Sequence, residues 1–173
     1  MQDFGQFYSK QVAKVKTNID ILDVLDDLKE IKGRRYANAF LPMMDSLTWS
    51  IVLTIDALLD SNLINKFKAS IPLDIVTLLD SLRGHWEKTD HNHYRDKLFA
   101  HFIERKEGET FHYMEQHGRL QLDPIISGLE EVAYNICRHA GSGTWVTEWK
   151  DINNSFENLS YDIKKFSDNE NKP

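Results

Sequence analysis

Apolar residues recur at intervals of three and four along most of the chain, the spacing that places them on one face of an α-helix. Tyr8, Val12, Val15, Ile19, Leu22, Leu25, Leu28 and Ile31 form a first stripe, with Gly33 in a stop position. Tyr36, Phe40, Met44, Leu47, Ile51, Ile55, Leu58 and Leu59 form a second, which predicts a helix ending near Asp60 with Pro42 close to its first turn. Ser70 reads as the cap of a third helix, with Pro72 early in it and Ile75, Leu78, Leu79, Leu82 and Trp86 along its inner face. After a break at residues 89–92, Tyr94, Leu98, Phe99, Phe102 and Ile103 predict a short fourth helix capped by Asp90 or Asn92. Residues 105–120 are polar without a steady period and read as a loop longer than most connections in a compact domain. Asp123 and Pro124 then open a fifth helix, with Ile125, Leu129, Val132, Ile136 and Cys137 turned inward and Gly141 as its stop. Trp145, Trp149, Ile152, Phe156, Leu159, Ile163 and Phe166 alternate spacings of four and three, a seam for packing along another helix. No segment alternates with the period of a strand. The expected fold is all-α, a single domain over residues 1–166 built as a bundle of five to six amphipathic helices, followed by a disordered tail at 167–173.

Composition narrows the class without changing that picture. At 173 residues, 41% hydrophobic and 28% charged, the chain has globular proportions and the length of one domain. Its longest apolar stretch, residues 49–59, is broken by Ser50, Thr54 and Asp56, so no membrane partner is expected. The opening residues lack a secretory pattern, which gives a cytoplasmic expectation. A lone Cys137 supports neither a disulfide framework nor a cysteine-based metal knuckle. The net charge of −6 argues against a protein that grips nucleic acid by general basicity. Local contrast is possible, however: residues 83–106 hold six Lys/Arg against four acids, and four of the seven histidines, His85, His91, His93 and His101.

The fourth helix concentrates the candidate chemistry. With Arg95 set at 0° and steps of about 100°, Leu98, Phe102, Phe99 and Ile103 fall within about 80° on either side of it, so Arg95 lies inside the apolar arc. A guanidinium there is costly to desolvate unless it meets a carboxylate, a partner subunit or a ligand anion. His101 falls at the edge of the same arc, beside Tyr94 and Leu98. The free backbone N–H groups and positive dipole end of the helix's first turn lie close to Arg95. Together these features describe a phosphate site.

The segment Tyr94-Arg95-Asp96-Lys97-Leu98-Phe99-Ala100-His101 resembles the active-site motif of HEPN domains, helical proteins in which an Arg is followed by a polar residue and, four to six residues after the Arg, by a His. Arg95, Asp96, Lys97, Ala100 and His101 fit the variant met in HEPN proteins of the abortive-infection type. The resemblance implies metal-independent RNA cleavage with no cofactor and no metal. In that chemistry a base takes the proton of a ribose 2′-OH, the oxygen attacks the adjacent phosphate, and an acid protonates the departing 5′-oxygen. His101 suits the proton steps, because imidazole changes charge near neutral pH. Arg95 suits the phosphorane, because its planar fork stays charged and bonds two equatorial oxygens. Asp96 is expected to orient one of them or shape the field, and Lys97, His91 and Tyr94 to contact substrate. Members of the family commonly pair, so the resemblance also implies a homodimer whose two motifs line one cleft.

Simpler readings stand beside this one. Arg95 is accounted for equally by a buried ion pair with Asp56, Asp60 or Asp80, and His101 by a structural role. His85, Asp90, His91 and His93 have metal-ligating side chains, but the Glu-x-x-His pairs of a di-iron bundle occur only once, at Glu109 and His112. Two functions from different classes follow. One is a HEPN-like endoribonuclease, a toxin or phage-defence effector with RNA as its substrate. The other is a non-catalytic helical module that dimerises, binds a nucleotide or docks an antitoxin partner of the nucleotidyltransferase type.

Overall fold

A computed structural model describes residues 2–32, 34–89 and 119–140, together with Tyr161. Every regular element among the described residues is helical: α1 (Gln2–Lys32), α2 (Arg34–Leu58), α3 (Ser61–Phe67), a 3-10 turn (Lys68–Ser70), α4 (Leu73–Trp86) and α5 (Arg119–His139). The predicted fourth helix, the seam from Trp145 to Phe166, the stop at Gly141 and the tail lie outside the described residues. Among those described, no single helix is long and apolar enough to cross a membrane.

α1 and α2 form an antiparallel hairpin, since Phe7, Gln11 and Lys14 of α1 meet Ser50, Leu53 and Ala57 of α2. Counting outward from Gly33 pairs Leu22 with Met44, Val15 with Ile51 and Tyr8 with Leu58, and all six are buried. The opposite flank of α1 packs on α5. Ser9 Oγ lies 3.0 Å from Cys137 Sγ and donates to the Gly5 carbonyl at 2.8 Å, while Lys16 forms an ion pair with Glu130. As α1 advances from residue 9 to 16 its α5 partner retreats from 137 to 130, so these helices are antiparallel too. α4 closes the far side of α5. Leu129, Val132 and Ile136 of α5, with Ile75, Leu79 and Trp86 of α4, join the α1–α2 stripes in one core. Each such side chain contributes roughly 1.5 to 3 kcal/mol on burial. Where their burial is described, the predicted inner faces of helices one, two, three and five are those that are buried or, at Ile19, Leu47 and Leu78, partly buried against the core.

Several boundaries differ from the sequence reading, each for a local reason. Pro42 lies in the interior of α2, eight residues past its start. It cannot donate to the Asn38 carbonyl, and the exposed flank on which it sits tolerates that loss. Pro124 likewise lies inside α5, which begins at Arg119 and so absorbs the last two residues of the expected 105–120 loop. Asp123 is therefore not a cap. Ser70 is not one either: it ends the 3-10 turn, and α4 starts at Leu73 after Pro72. α3 was not evident from periodicity, because seven residues with only Ile64 buried make no stripe. Its signal is Asp60, whose carboxylate accepts from the Asn62 and Leu63 backbone N–H groups at 2.7 and 3.1 Å.

At Gly128, α5 lies directly against the Leu82 side chain of α4. A Cβ there would sit 2.9 Å from Leu82 Cδ1 and 3.1 Å from Leu82 Cγ. Gly128→Ala is expected to destabilise the wild type by about 1 kcal/mol, overpacking exceeding the gain in helix propensity. In a Leu82→Ala background the same substitution is expected to stabilise, because the overlap is gone and only propensity remains. Denaturant melts of the four proteins measure the cycle, and equal effects in both backgrounds would refute the contact.

The Tyr8 side chain is 0% exposed, and among the described residues its hydroxyl has no hydrogen-bond partner. Burial pushes that hydroxyl well above its usual value of 10.0. Folded Tyr8 keeps its proton at alkaline pH where the unfolded chain releases one. Stability contributed by this group is thus intact below pH ~10 and falls by about 1.4 kcal/mol per pH unit above it. Tyr8→Phe should match or exceed wild-type stability at pH 7 and lose one proton's worth of slope above pH 10, as read from urea midpoints across pH.

Candidate functional site

The motif residues Arg95, Asp96, Lys97 and His101, and the proposed substrate contacts His91 and Tyr94, lie outside the described residues. What is described is the platform from which that segment departs. α4 ends in a turn closed by Glu87 N–H to the Arg83 carbonyl at 2.9 Å, Lys88 N–H to the His85 carbonyl at 3.1 Å and Thr89 N–H to the Trp86 carbonyl at 3.0 Å. Buried Thr89 also donates its hydroxyl to the Trp86 carbonyl at 2.7 Å, which fixes the exit one residue before Asp90.

A polar cleft of about 240 Å³ opens beside this exit, lined by Asp56, Asp60, Ser61, Arg83, Trp86 and Glu87. Trp86 forms its floor at 2% exposure and donates its indole N–H to Asp56 at 3.3 Å. The Arg83 guanidinium reaches Asp80 at 3.1 Å and Glu87 at 3.8 Å, one helical turn to either side. Of the three acids considered as partners for Arg95, Asp60 is engaged in capping α3, Asp80 pairs with Arg83 on the surface, and Asp56 is half-buried under the exit of α4. Asp56 is thus the least exposed of the three. The basic window is also less basic than its count, because Arg83 is offset on both sides by acids.

Among the described residues no three His, Cys, Asp or Glu side chains come together to hold a metal. His85 is exposed, and its sequence companions Asp90, His91 and His93, like Glu109 and His112, lie outside the described residues. Cys137 is buried in the α1–α5 contact, as its place on the inner face implied. No protein-family model, no curated protein and no solved structure matches this chain.

Sequence reasoning missed a second feature, a groove of about 230 Å³ between the first half of α1 and the second half of α2. Phe7 and Leu53 flank it at 47% and 38% exposure. The signal was present as Phe7, Gln11 and Lys14, which share a helical flank beside the buried stripe, with Lys10 at its outer edge.

The Asp56–Trp86 contact makes a prediction for the platform. Asp56→Leu strands a buried indole N–H and should cost about 1 to 3 kcal/mol, whereas Asp56→Asn retains an acceptor and should cost less. Thermal melts followed by tryptophan emission compare the two, and equal losses would mean that the carboxylate charge, not the hydrogen bond, is what Trp86 needs.

Proposed function

We propose that the chain is a metal-independent endoribonuclease of the HEPN type, acting in the cytoplasm as a toxin or phage-defence effector at a cleft formed by two copies. The observation that carries this reading is the segment Arg95-Asp96-Lys97-x-x-Ala100-His101. The all-helical bundle supports it in kind, with long amphipathic helices both before and after the motif.

The proposed chemistry needs only residues of this chain. His101 takes the ribose 2′-OH proton as the 2′-oxygen bonds to phosphorus, and the bond from phosphorus to the 5′-oxygen breaks as that oxygen is protonated. A second His101, from the other copy, supplies this proton, so that one imidazole starts neutral and the other charged. Arg95 holds two non-bridging oxygens while charge accumulates on them. Asp96 orients Arg95 or His101, and Lys97, His91 and Tyr94 contact the strand. The products are a 2′,3′-cyclic phosphate and a 5′-hydroxyl.

One observation favours the second reading, a non-catalytic module docking an antitoxin partner: the net charge of −6 works against an RNA-binding protein. Incubation of total and transfer RNA with purified protein in EDTA decides between them. Wild type is expected to cut and leave cyclic phosphate ends, while Arg95→Ala and His101→Ala, prepared identically, lose activity by a factor on the order of 10² to 10⁴. If all three are folded and equally inert, the interaction module replaces the nuclease.

A further inference from the structure

The α1–α2 groove has no role in the chemistry above, and its composition is specific. Lys14, Gln11, Ser50 and Thr54 are its polar lining residues, and Thr54 is only 9% exposed. Among the described residues none of these four side chains has a hydrogen-bond or ion-pair partner. All four can donate hydrogen bonds, and no carboxylate lines the groove. Such a set matches a ligand rich in acceptors and carrying negative charge. The apolar flank formed by Phe7 and Leu53 matches a ligand that also has a flat apolar face.

The charge around the groove has the same sense. From residue 2 to 17 α1 carries three lysines and one acid, of which Lys16 pairs with Glu130 on the α5 flank, and from 18 to 32 two lysines and five acids. Lys10 and Lys14 are both exposed and lie about 6 Å apart along the helix axis, a step that one nucleotide of an extended strand covers. The stacking of Phe4 on Phe67, with centroids 4.1 Å apart, holds the end of α3 against the first turn of α1. That contact adds exposed Lys66 and Lys68 at the same end of the bundle. A chain that is acidic overall therefore has one cationic face with an aromatic ring in it.

We infer that this groove is a track for single-stranded RNA, with a base on the Phe7 ring, phosphates on Lys10 and Lys14, and the Thr54, Ser50 and Gln11 groups on sugar and base edges. The choice of RNA rests on the nuclease reading, while the cationic-aromatic groove stands on the structure. An amphipathic partner helix fits less well, because it needs apolar anchors over two turns. Here Phe7, Leu53, Ala57 and Leu58 share the groove with four polar residues, one of them a lysine. Alternation of lysines with an exposed ring is instead the pattern of single-strand binding surfaces, in which stacking supplies sequence-tolerant affinity.

The test uses full-length protein and a fluorescein-labelled 2′-O-methyl oligoribonucleotide, which lacks the attacking hydroxyl and so reports binding apart from cleavage. Anisotropy titrations are run from 25 to 200 mM salt. Lys10→Gln/Lys14→Gln is expected to weaken binding at least tenfold at low salt and to reduce the slope of log affinity against log salt by about 1.4, roughly 0.7 for each phosphate contact on a single strand. Phe7→Ala is expected to weaken binding about tenfold while leaving that slope unchanged. All three positions are exposed, and unchanged circular-dichroism melts confirm folding. Wild-type affinity in both variants, or no binding by the wild type at 25 mM salt, overturns the inference. Binding that depends on these residues without any RNA cleavage keeps the track and removes the nuclease, whereas cleavage with variant-insensitive binding does the reverse.

Discussion

The first helix must be buried on two flanks at once, and the rest of the described bundle depends on that. One flank carries Val12, Val15 and Leu22 against α2, and the other carries Gly5 and Ser9 against α5. A Cβ at Gly5 would lie 3.1 Å from Ile136 Cγ2, so the absence of a side chain there lets the backbones of α1 and α5 approach. With α5 seated in this way, Gly128 repeats the device toward Leu82 and brings α4 in. Two glycines on opposite ends of the contact surfaces thus set the distance of three helices. The Lys16–Glu130 ion pair, only partly exposed, spans the same α1–α5 contact.

This hierarchy explains which parts of the fold could be read from sequence. Inner faces were legible because an apolar stripe at three and four has few alternatives once a helix is buried on one or two sides. Ends were less legible where two rules conflict. Pro42 and Pro124 locally favour a helix start, but each loses a single hydrogen bond on an exposed flank, and Leu41 and Leu122 just before them gain more from packing on the core. Leu122, buried two residues before Pro124, shows what is gained. α3 lay beyond reach of periodicity but not of capping, since Asp60 before Ser61 and Asn62 is an ordinary N-cap signal. The motif was legible as a short pattern of residue types, while the α1–α2 groove was not, because its four polar groups come from two helices distant in sequence.

The distribution of charge follows from the same packing. Several acids that give the chain its net −6 are engaged in structure: Glu130 with Lys16, Asp80 and Glu87 with Arg83, Asp60 at the start of α3, and Asp56 beneath Trp86. Exposed pairs of this kind contribute little to stability. Of these, Lys16–Glu130 sits in the α1–α5 contact and Arg83 with its two acids on α4, so neither cation adds to the face that carries Lys10 and Lys14. Net charge is then a poor guide to what this surface attracts. An anion within a Debye length of about 10 Å responds to the face it meets and not to the sum over the chain.

Between the well-sealed layers of the α1–α2 hairpin lies one that is chemically mismatched. Asn18 and Thr48 are each fifteen residues from Gly33, so the hairpin brings them to one level, and both are buried. Among the described residues Asn18 Nδ2 and Thr48 Oγ1 lack hydrogen-bond partners. Such groups cost about 1 to 3 kcal/mol each in the native state, so they do not hold the register by pairing. Their neighbours do that: Val15 with Ile51 on one side and Leu22 with Met44 on the other are fully apolar, and a slip of one residue would move both layers off the core face. The hairpin is consequently specified by the layers that flank its weakest point, and the polar layer is where local opening between α1 and α2 costs least.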